Sequence, residues 1–104
     1  MIHYEAKDFP IDGLEATGRE VKVHVPAGTE RRSYNLFGGQ DGSITVDGDG
    51  DGDVCRYGDG DGDAYRAGGG NGNAYRYGGG DGYAYRYGGG DGHAYRNGEI
   101  EEDE

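Results

Sequence analysis

Tryptophan is absent from this chain of 104 residues, phenylalanine occurs only as Phe9 and Phe37, proline twice and cysteine once. Apart from Ile100, no branched aliphatic residue follows Val54. A domain of this size normally buries about two-thirds of the surface its unfolded chain exposes, mainly with such side chains. That lack excludes a conventional greasy core for the second half. The lone Cys55 excludes an internal disulfide. No apolar run approaches the roughly 20 residues of a membrane-spanning helix, and the N-terminus lacks the basic-then-apolar layout of a signal peptide. The expectation is a soluble, intracellular chain. Basic charge is also scarce: 10 Lys and Arg face 21 Asp and Glu, for a net charge of -11. Direct nucleic-acid binding needs a basic footprint and is set aside; an acidic chain suits basic protein surfaces or cations.

Glycine is abundant instead, with 25 residues. Composition alone places such a chain with low-complexity or disordered segments, but the glycines are regularly spaced. Every tenth residue from Gly18 to Gly98 is glycine, and GDGDGDAYRA, GGGNGNAYRY, GGGDGYAYRY and GGGDGHAYRN follow one another from residue 58. Within this period lies a second one. From Gly48 to Gly98 every even position is Gly, Ala, Val or Arg, while odd positions carry mostly Asp, Asn and Tyr. A period of two is that of extended chain, whose side chains point alternately to opposite faces.

These periods predict an all-β fold: a thin β-solenoid with ten-residue coils over residues 38–98, a small N-terminal β cap over 1–37 and an acidic tail over 99–104. Glycine and alanine line its interior, and tyrosine and aspartate ladders stack outside at about 4.8 Å. The row Ala64, Ala74, Ala84, Ala94 continues upstream as Val54 and Ile44 and faces inward. Arg66, Arg76, Arg86 and Arg96 share that parity. A dry channel does not admit a guanidinium without partners, so the expectation puts them at a corner with their heads in solvent. A Gly-rich antiparallel β meander uses the same alternation and is the structural alternative.

The aspartates pose a metal question. DGDGDGDVC from Asp47 begins like an EF-hand loop, but its twelfth position is Gly58 rather than glutamate. Stacked at ten-residue spacing, Asp51, Asp61, Asn71, Asp81 and Asp91 form a column whose repulsion a calcium ion would relieve, with Asp51, Asp61, Asp81 and Asp91 as its ligands. Residues 48–98 resemble the calcium-binding nonapeptide β-roll of secreted toxins in alternating Gly and Asp, but depart from it in period and residue order. The arginine row or solvent screening would relieve the same repulsion, so no cofactor is expected and calcium is the lesser alternative. An ice-binding solenoid is a lesser reading, weakened by having only Thr17, Thr29 and Thr45. His3, His24 and His93 lie at unrelated positions, Ser33 and Ser43 have no readable base, and GGGDG lacks a phosphate loop's Lys-Ser/Thr. No enzyme is expected.

Two tyrosine rows, Tyr65, Tyr75, Tyr85, Tyr95 and Tyr57, Tyr77, Tyr87 with Tyr83 beside them, stack the coils together and present a contact surface of the kind binding paratopes use. DGDGDAYR and AYRYGGGDG resemble the short glycine/aspartate/tyrosine-rich decapeptide-repeat proteins of tailed phages and prophages. That resemblance covers residues 38–98. It implies either an inhibitor of a host nucleic-acid-targeting defence protein, of anti-CRISPR or anti-restriction type and resembling DNA in charge, or a structural or receptor-binding tail element. The inhibitor would act in the host cytoplasm unless it is carried on the virion. On the first reading the partner is a protein with a basic surface, met by Asp49, Asp51, Asp53, Asp59, Asp61 and Asp63 and held by Tyr75, Tyr77, Tyr85 and Tyr87.

Overall fold

A computed structural model describes residues 2–15, 18–37, 42–79, 82–97 and 99–100. Among these, eleven strands follow in order: β1 (Ile2–Glu5), β2 (Leu14–Glu15), β3 (Glu20–His24), β4 (Ser33–Phe37), β5 (Ser43–Asp47), β6 (Asp53–Tyr57), β7 (Ala64–Arg66), β8 (Ala74–Tyr77), β9 (Ala84–Arg86), β10 (Ala94–Arg96) and β11 (Glu99–Ile100). Odd strands β1-β3-β5-β7-β9 make one sheet, A, and β11-β10-β8-β6-β4-β2 make the other, B. The chain is a β-solenoid, as its two periods predict. Pairing is parallel at every rung except β10 with β11, which removes the meander.

The coil is twice the length expected. Ile44 pairs with Ala64 and Ala64 with Ala84, while Val54 pairs with Ala74 and Ala74 with Ala94. One decapeptide supplies one strand and one glycine-rich turn, which is half a circuit; a closed coil with two facing sheets needs two of each. Successive decapeptides therefore land on opposite sheets. Ten and twenty are both even, so the inward row is unaffected by the doubling.

Between the sheets the core changes character along the axis. Val21, Val23, Val25, Tyr34, Leu36, Ile44, Val46 and Val54 fill the first coils, and Ala64, Ala74, Ala84 and Ala94 the later ones, all buried. The expected cap is built from solenoid rungs, since β3 and β4 pair in register with β5 and β6. What closes the first coil is the 3-10 turn Ala6–Asp8 and the buried Phe9, whose ring meets Tyr4 and Tyr34 edge-on at 5.3 and 5.6 Å. At the other end Asn97, with a φ of 51°, turns the chain so that β11 returns on β10. Of the expected acidic tail, residues 101–104 lie outside the described residues.

Arg66 and Arg76 correct the corner expectation, while Arg86 and Arg96 of the same row are half-buried. Arg56, Arg66 and Arg76 are buried inside the solenoid. Each guanidinium reaches the turn at the edge and donates to backbone carbonyls there. Arg66 Nε meets Gly52 O at 2.9 Å and Nη2 meets Gly50 O at 2.5 Å, and Nη1 donates to Ala67 O. Arg76 donates in the same way to Gly60, Gly62, Gly78 and Gly79, and Arg86 to Gly70, Gly72 and Tyr87. Glycine carbonyls thus supply the polar partners that a buried charge requires. At the inward glycines of these turns there is no room for a side chain: a Cβ on Gly72 would stand 1.8 Å from Gly52 O.

Candidate functional site

The twenty-residue coil redistributes the residues nominated from sequence. Turns leading from sheet A to sheet B lie along one edge of the solenoid and carry Asp49 and Asp51; turns leading back lie along the other and carry Asp59 and Asp61. Asp53 opens β6 on sheet B, and Asp63 precedes β7 on sheet A. Tyr75 and Tyr77 belong to sheet B, Tyr85 and Tyr87 to the sheet A side. The single tyrosine face expected from sequence is therefore two faces. The nominated set divides in two: Asp53, Tyr75 and Tyr77 on sheet B with Asp49 and Asp51 in the turn before β6, and Asp63, Tyr85 and Tyr87 on the sheet A side with Asp59 and Asp61 in the turn before β7.

Each half has the same local chemistry. Asp49, Asp51 and Asp53 accept the backbone N–H of Gly69, Asn71 and Asn73 in the next coil through Oδ1, at 3.2, 2.9 and 2.8 Å. Asp59 and Asp63 do the same for Gly79 and Tyr83, at 2.9 and 2.7 Å. Asn71 and Asn73 pass the pattern on to Asp91 and His93. Every such link spans twenty residues, so these side chains rivet one coil to the next. Ser43 Oγ accepts the Asp63 N–H at 3.0 Å in the same manner.

This spacing also breaks up the ten-residue column on which the calcium alternative rested. Asp51 stands over Asn71, and Asn71 over Asp91; Asp61 falls on the opposite edge, and Asp81 lies outside the described residues. Asp49 and Asp59 stand over Gly69 and Gly79. The ten-residue column of carboxylates is not formed. Among the described residues no group of three or more His, Cys, Asp or Glu is arranged to hold a metal ion.

On sheet B five rings run in one connected path: Phe37 to Tyr57 at 5.1 Å, Tyr57 to Tyr77 at 5.2 Å, Tyr77 to Tyr75 at 6.0 Å and Tyr75 to Tyr95 at 5.1 Å, each pair nearly parallel. Sheet A carries Tyr65, Tyr85 and Tyr87 in a similar stack with Tyr83 beside them. Stacking at about rung spacing holds the rings against one another along each sheet. Burial, above all, pushes the Tyr57 hydroxyl up to about 12, with the neighbouring Cys55 thiol adding to the effect. Burial likewise pushes the Cys55 thiol up to about 11, so this packed residue is a poor nucleophile. Tyr65 rises too, through burial and the hydrogen bond its hydroxyl donates to Asp63 Oδ2 at 2.7 Å.

His3, His24 and His93 stay apart; His24 and Lys22 face Asp47 at 3.4 and 3.2 Å on an exposed part of sheet A. A groove of about 500 Å³ beside the N-terminal turn is lined by Ala6, Ile11, Pro26, Arg31 and Tyr34 among others. None of the residues nominated from sequence lines it. The groove has no repeat signature that could have revealed it. No helix among the described residues is long and apolar enough to cross a membrane. No family model, curated protein or solved structure matches this chain.

Proposed function

We propose that this chain is a non-enzymatic binding protein for a protein partner with a basic surface, acting as a phage-encoded inhibitor of a host nucleic-acid-targeting defence protein of the anti-CRISPR or anti-restriction type. The observation that carries this reading is that fixed carboxylates and stacked tyrosines meet on one strand of sheet B, where β6 carries both Asp53 and Tyr57. Asp49, Asp51 and Asp53 are held in fixed positions by amides of the next coil, and sheet B carries the path from Tyr57 through Tyr77 and Tyr75 to Tyr95. Preorganised carboxylates steer a basic partner without a further ordering cost. Rigid tyrosines then supply contact area at low entropic cost. The net charge of -11 and the resemblance of residues 38–98 to phage repeat proteins supply the inhibitor class.

The test is affinity capture from host lysate with the wild type, a sheet B variant (Asp49→Asn, Asp51→Asn, Tyr75→Ala, Tyr77→Ala) and its sheet A counterpart (Asp59→Asn, Asp61→Asn, Tyr85→Ala, Tyr87→Ala). The expected result is a nucleic-acid-binding protein retained by the wild type and the sheet A variant and lost by the sheet B variant. Capture of no such protein by the wild type overturns the reading.

A further inference from the structure

Four repeats place a different side chain two residues before an outward tyrosine: Asp63 before Tyr65, Asn73 before Tyr75, Tyr83 before Tyr85 and His93 before Tyr95. In extended backbone such a pair shares one face. The Tyr65 hydroxyl donates to Asp63 Oδ2 at 2.7 Å, whereas the Tyr75 hydroxyl accepts from Asn73 Nδ2 at 2.9 Å. Tyr83 meets Tyr85 ring to ring at 5.8 Å, and His93 meets Tyr95 edge-on at 6.2 Å. Asp63 is fixed from its other side, because Oδ1 accepts the Tyr83 N–H at 2.7 Å. Burial and the hydrogen bond to Asp63 both hold the Tyr65 hydroxyl above its ordinary range, so its proton is in place at neutral pH. Tyr65 is half-buried. It stacks on Tyr85 at 5.2 Å and Tyr87 at 6.5 Å, and Tyr85 stacks on Tyr87 at 5.9 Å. Tyr83 and Tyr87 carry this stack to the surface, at 43% and 52% exposure.

We propose that the sheet A tyrosine stack is a one-electron sink: oxidation of exposed Tyr83 or Tyr87 by a one-electron oxidant comes to rest as a neutral radical on Tyr65, whose phenolic proton moves to Asp63. The oxidant takes one electron from Tyr87, and the phenolic proton of Tyr87 leaves to water. An electron then passes from Tyr65 to the Tyr87 radical across their stacked rings. Tyr87 recovers a proton from water, and Tyr65 gives its own to Asp63 Oδ2. The oxidant has gained one electron, and the chain holds one neutral tyrosyl radical beside a protonated Asp63. Tyr65 is the resting place because an oxidised phenol is a strong acid, and a carboxylate oxygen within proton-transfer distance takes its proton as the electron leaves. At Tyr75 the same position holds an amide that donates a hydrogen bond and takes no proton. No residue of the sheet B contact surface takes part, so this inference stands whether or not the proposed function does.

Flash photolysis of tris(bipyridyl)ruthenium with persulfate tests it in the full-length chain, with the tyrosyl radical followed by its absorbance and by freeze-quench electron paramagnetic resonance. The fold supplies its own control. Asp63→Asn reproduces the Asn73–Tyr75 arrangement, with an amide oxygen for the Tyr83 N–H and an amide nitrogen for the phenol, but no base. Tyr65→Phe keeps the ring and removes the proton. The wild-type radical is expected to outlive that of either variant by roughly tenfold or more, the factor a hydrogen bond to a charged group is worth. Tyr75→Phe should keep the wild-type lifetime. In Asp63→Asn and Tyr65→Phe the radical stays on exposed Tyr83 and Tyr87, so dityrosine, formed when two radicals couple through a ring carbon–carbon bond, should rise. Circular dichroism identifies variants that keep the fold. A wild-type lifetime and dityrosine yield in folded Asp63→Asn, or in folded Tyr65→Phe, overturns the inference. Loss of the long-lived radical in Tyr75→Phe would give the sink to sheet B and overturn it equally.

Discussion

Arg66 donates Nε to the carbonyl oxygen of Gly52, fourteen residues earlier, at 2.9 Å. The pair joins opposite sheets' turns and strands, and the relationship recurs as Arg56 with Gly42, Arg76 with Gly62 and Arg86 with Gly72. In a solenoid whose later coils bury alanine and no branched aliphatic residue among those described, the buried arginine side chains share the filling. Burial lowers the Arg66 pKa, the Arg86 charge lowers it further, and Asp51, Asp53 and Asp47 act against both.

Replacing Arg76 with Met keeps most of the stem volume but leaves the carbonyls of Gly60, Gly62, Gly78 and Gly79 without this donor. Only the Gly62 acceptor is fully buried, and a buried acceptor left unsatisfied costs roughly 1–3 kcal/mol, so a loss of about 1–3 kcal/mol is expected in urea unfolding. Arg76→Lys should not restore it, since an ammonium cannot span the four oxygens in one plane. Stability within about 0.5 kcal/mol of wild type, the range of a neutral surface change, would show that the carbonyls find other donors.

Ala74 is fully buried between the sheets. Ala74→Leu forces methylenes into a space matched to a methyl group and should cost roughly 1–3 kcal/mol. Leucine at the neighbouring outward position Asn73 should act differently, through loss of its Oδ1 bond to the His93 N–H. Thermal melts of the two variants separate packing from riveting.

Aspartate and asparagine do the same riveting work at positions 51 and 71. Asp49→Asn with Asp51→Asn should therefore leave the melting temperature nearly unchanged while slowing association with a basic partner and flattening its salt dependence. Tyr75→Ala with Tyr77→Ala should chiefly speed dissociation. Surface-based kinetics with the captured partner distinguishes the two effects; identical changes in both rates for both variants would refute the division of labour.

Alkaline pH should weaken the fold through Cys55. Its thiol lies at about 11 in the folded chain against an ordinary 9.0, because burial disfavours the thiolate. Between these values the unfolded chain binds fewer protons than the folded one, so stability is fully present below about 9 and falls as pH rises toward 11. Urea midpoints measured across that window should fall for the wild type and fall less for Cys55→Ser. Parallel curves for the two proteins would assign the alkaline loss to the tyrosines alone.

Much of this architecture is legible in the order of residues. The two-residue alternation fixes which side chains face inward, and it holds for Ala64, Ala74, Ala84 and Ala94 because parity is a local property of extended backbone. The even repeat length carries that parity from unit to unit and makes the chain a solenoid with ladders of like residues. Coil length is another matter. Pairing Ala64 with Ala74 or with Ala84 satisfies the same alternation, and only closure of the circuit, two strands and two turns per coil, selects Ala84. That choice separates Tyr75 and Tyr77 from Tyr85 and Tyr87, breaks up the aspartate column and leaves β9 as an edge. The fate of the arginines was likewise settled in three dimensions. A buried guanidinium is admissible only where several carbonyls converge on it, and the glycine turns that supply them to Arg66 lie fourteen and sixteen residues away along the chain.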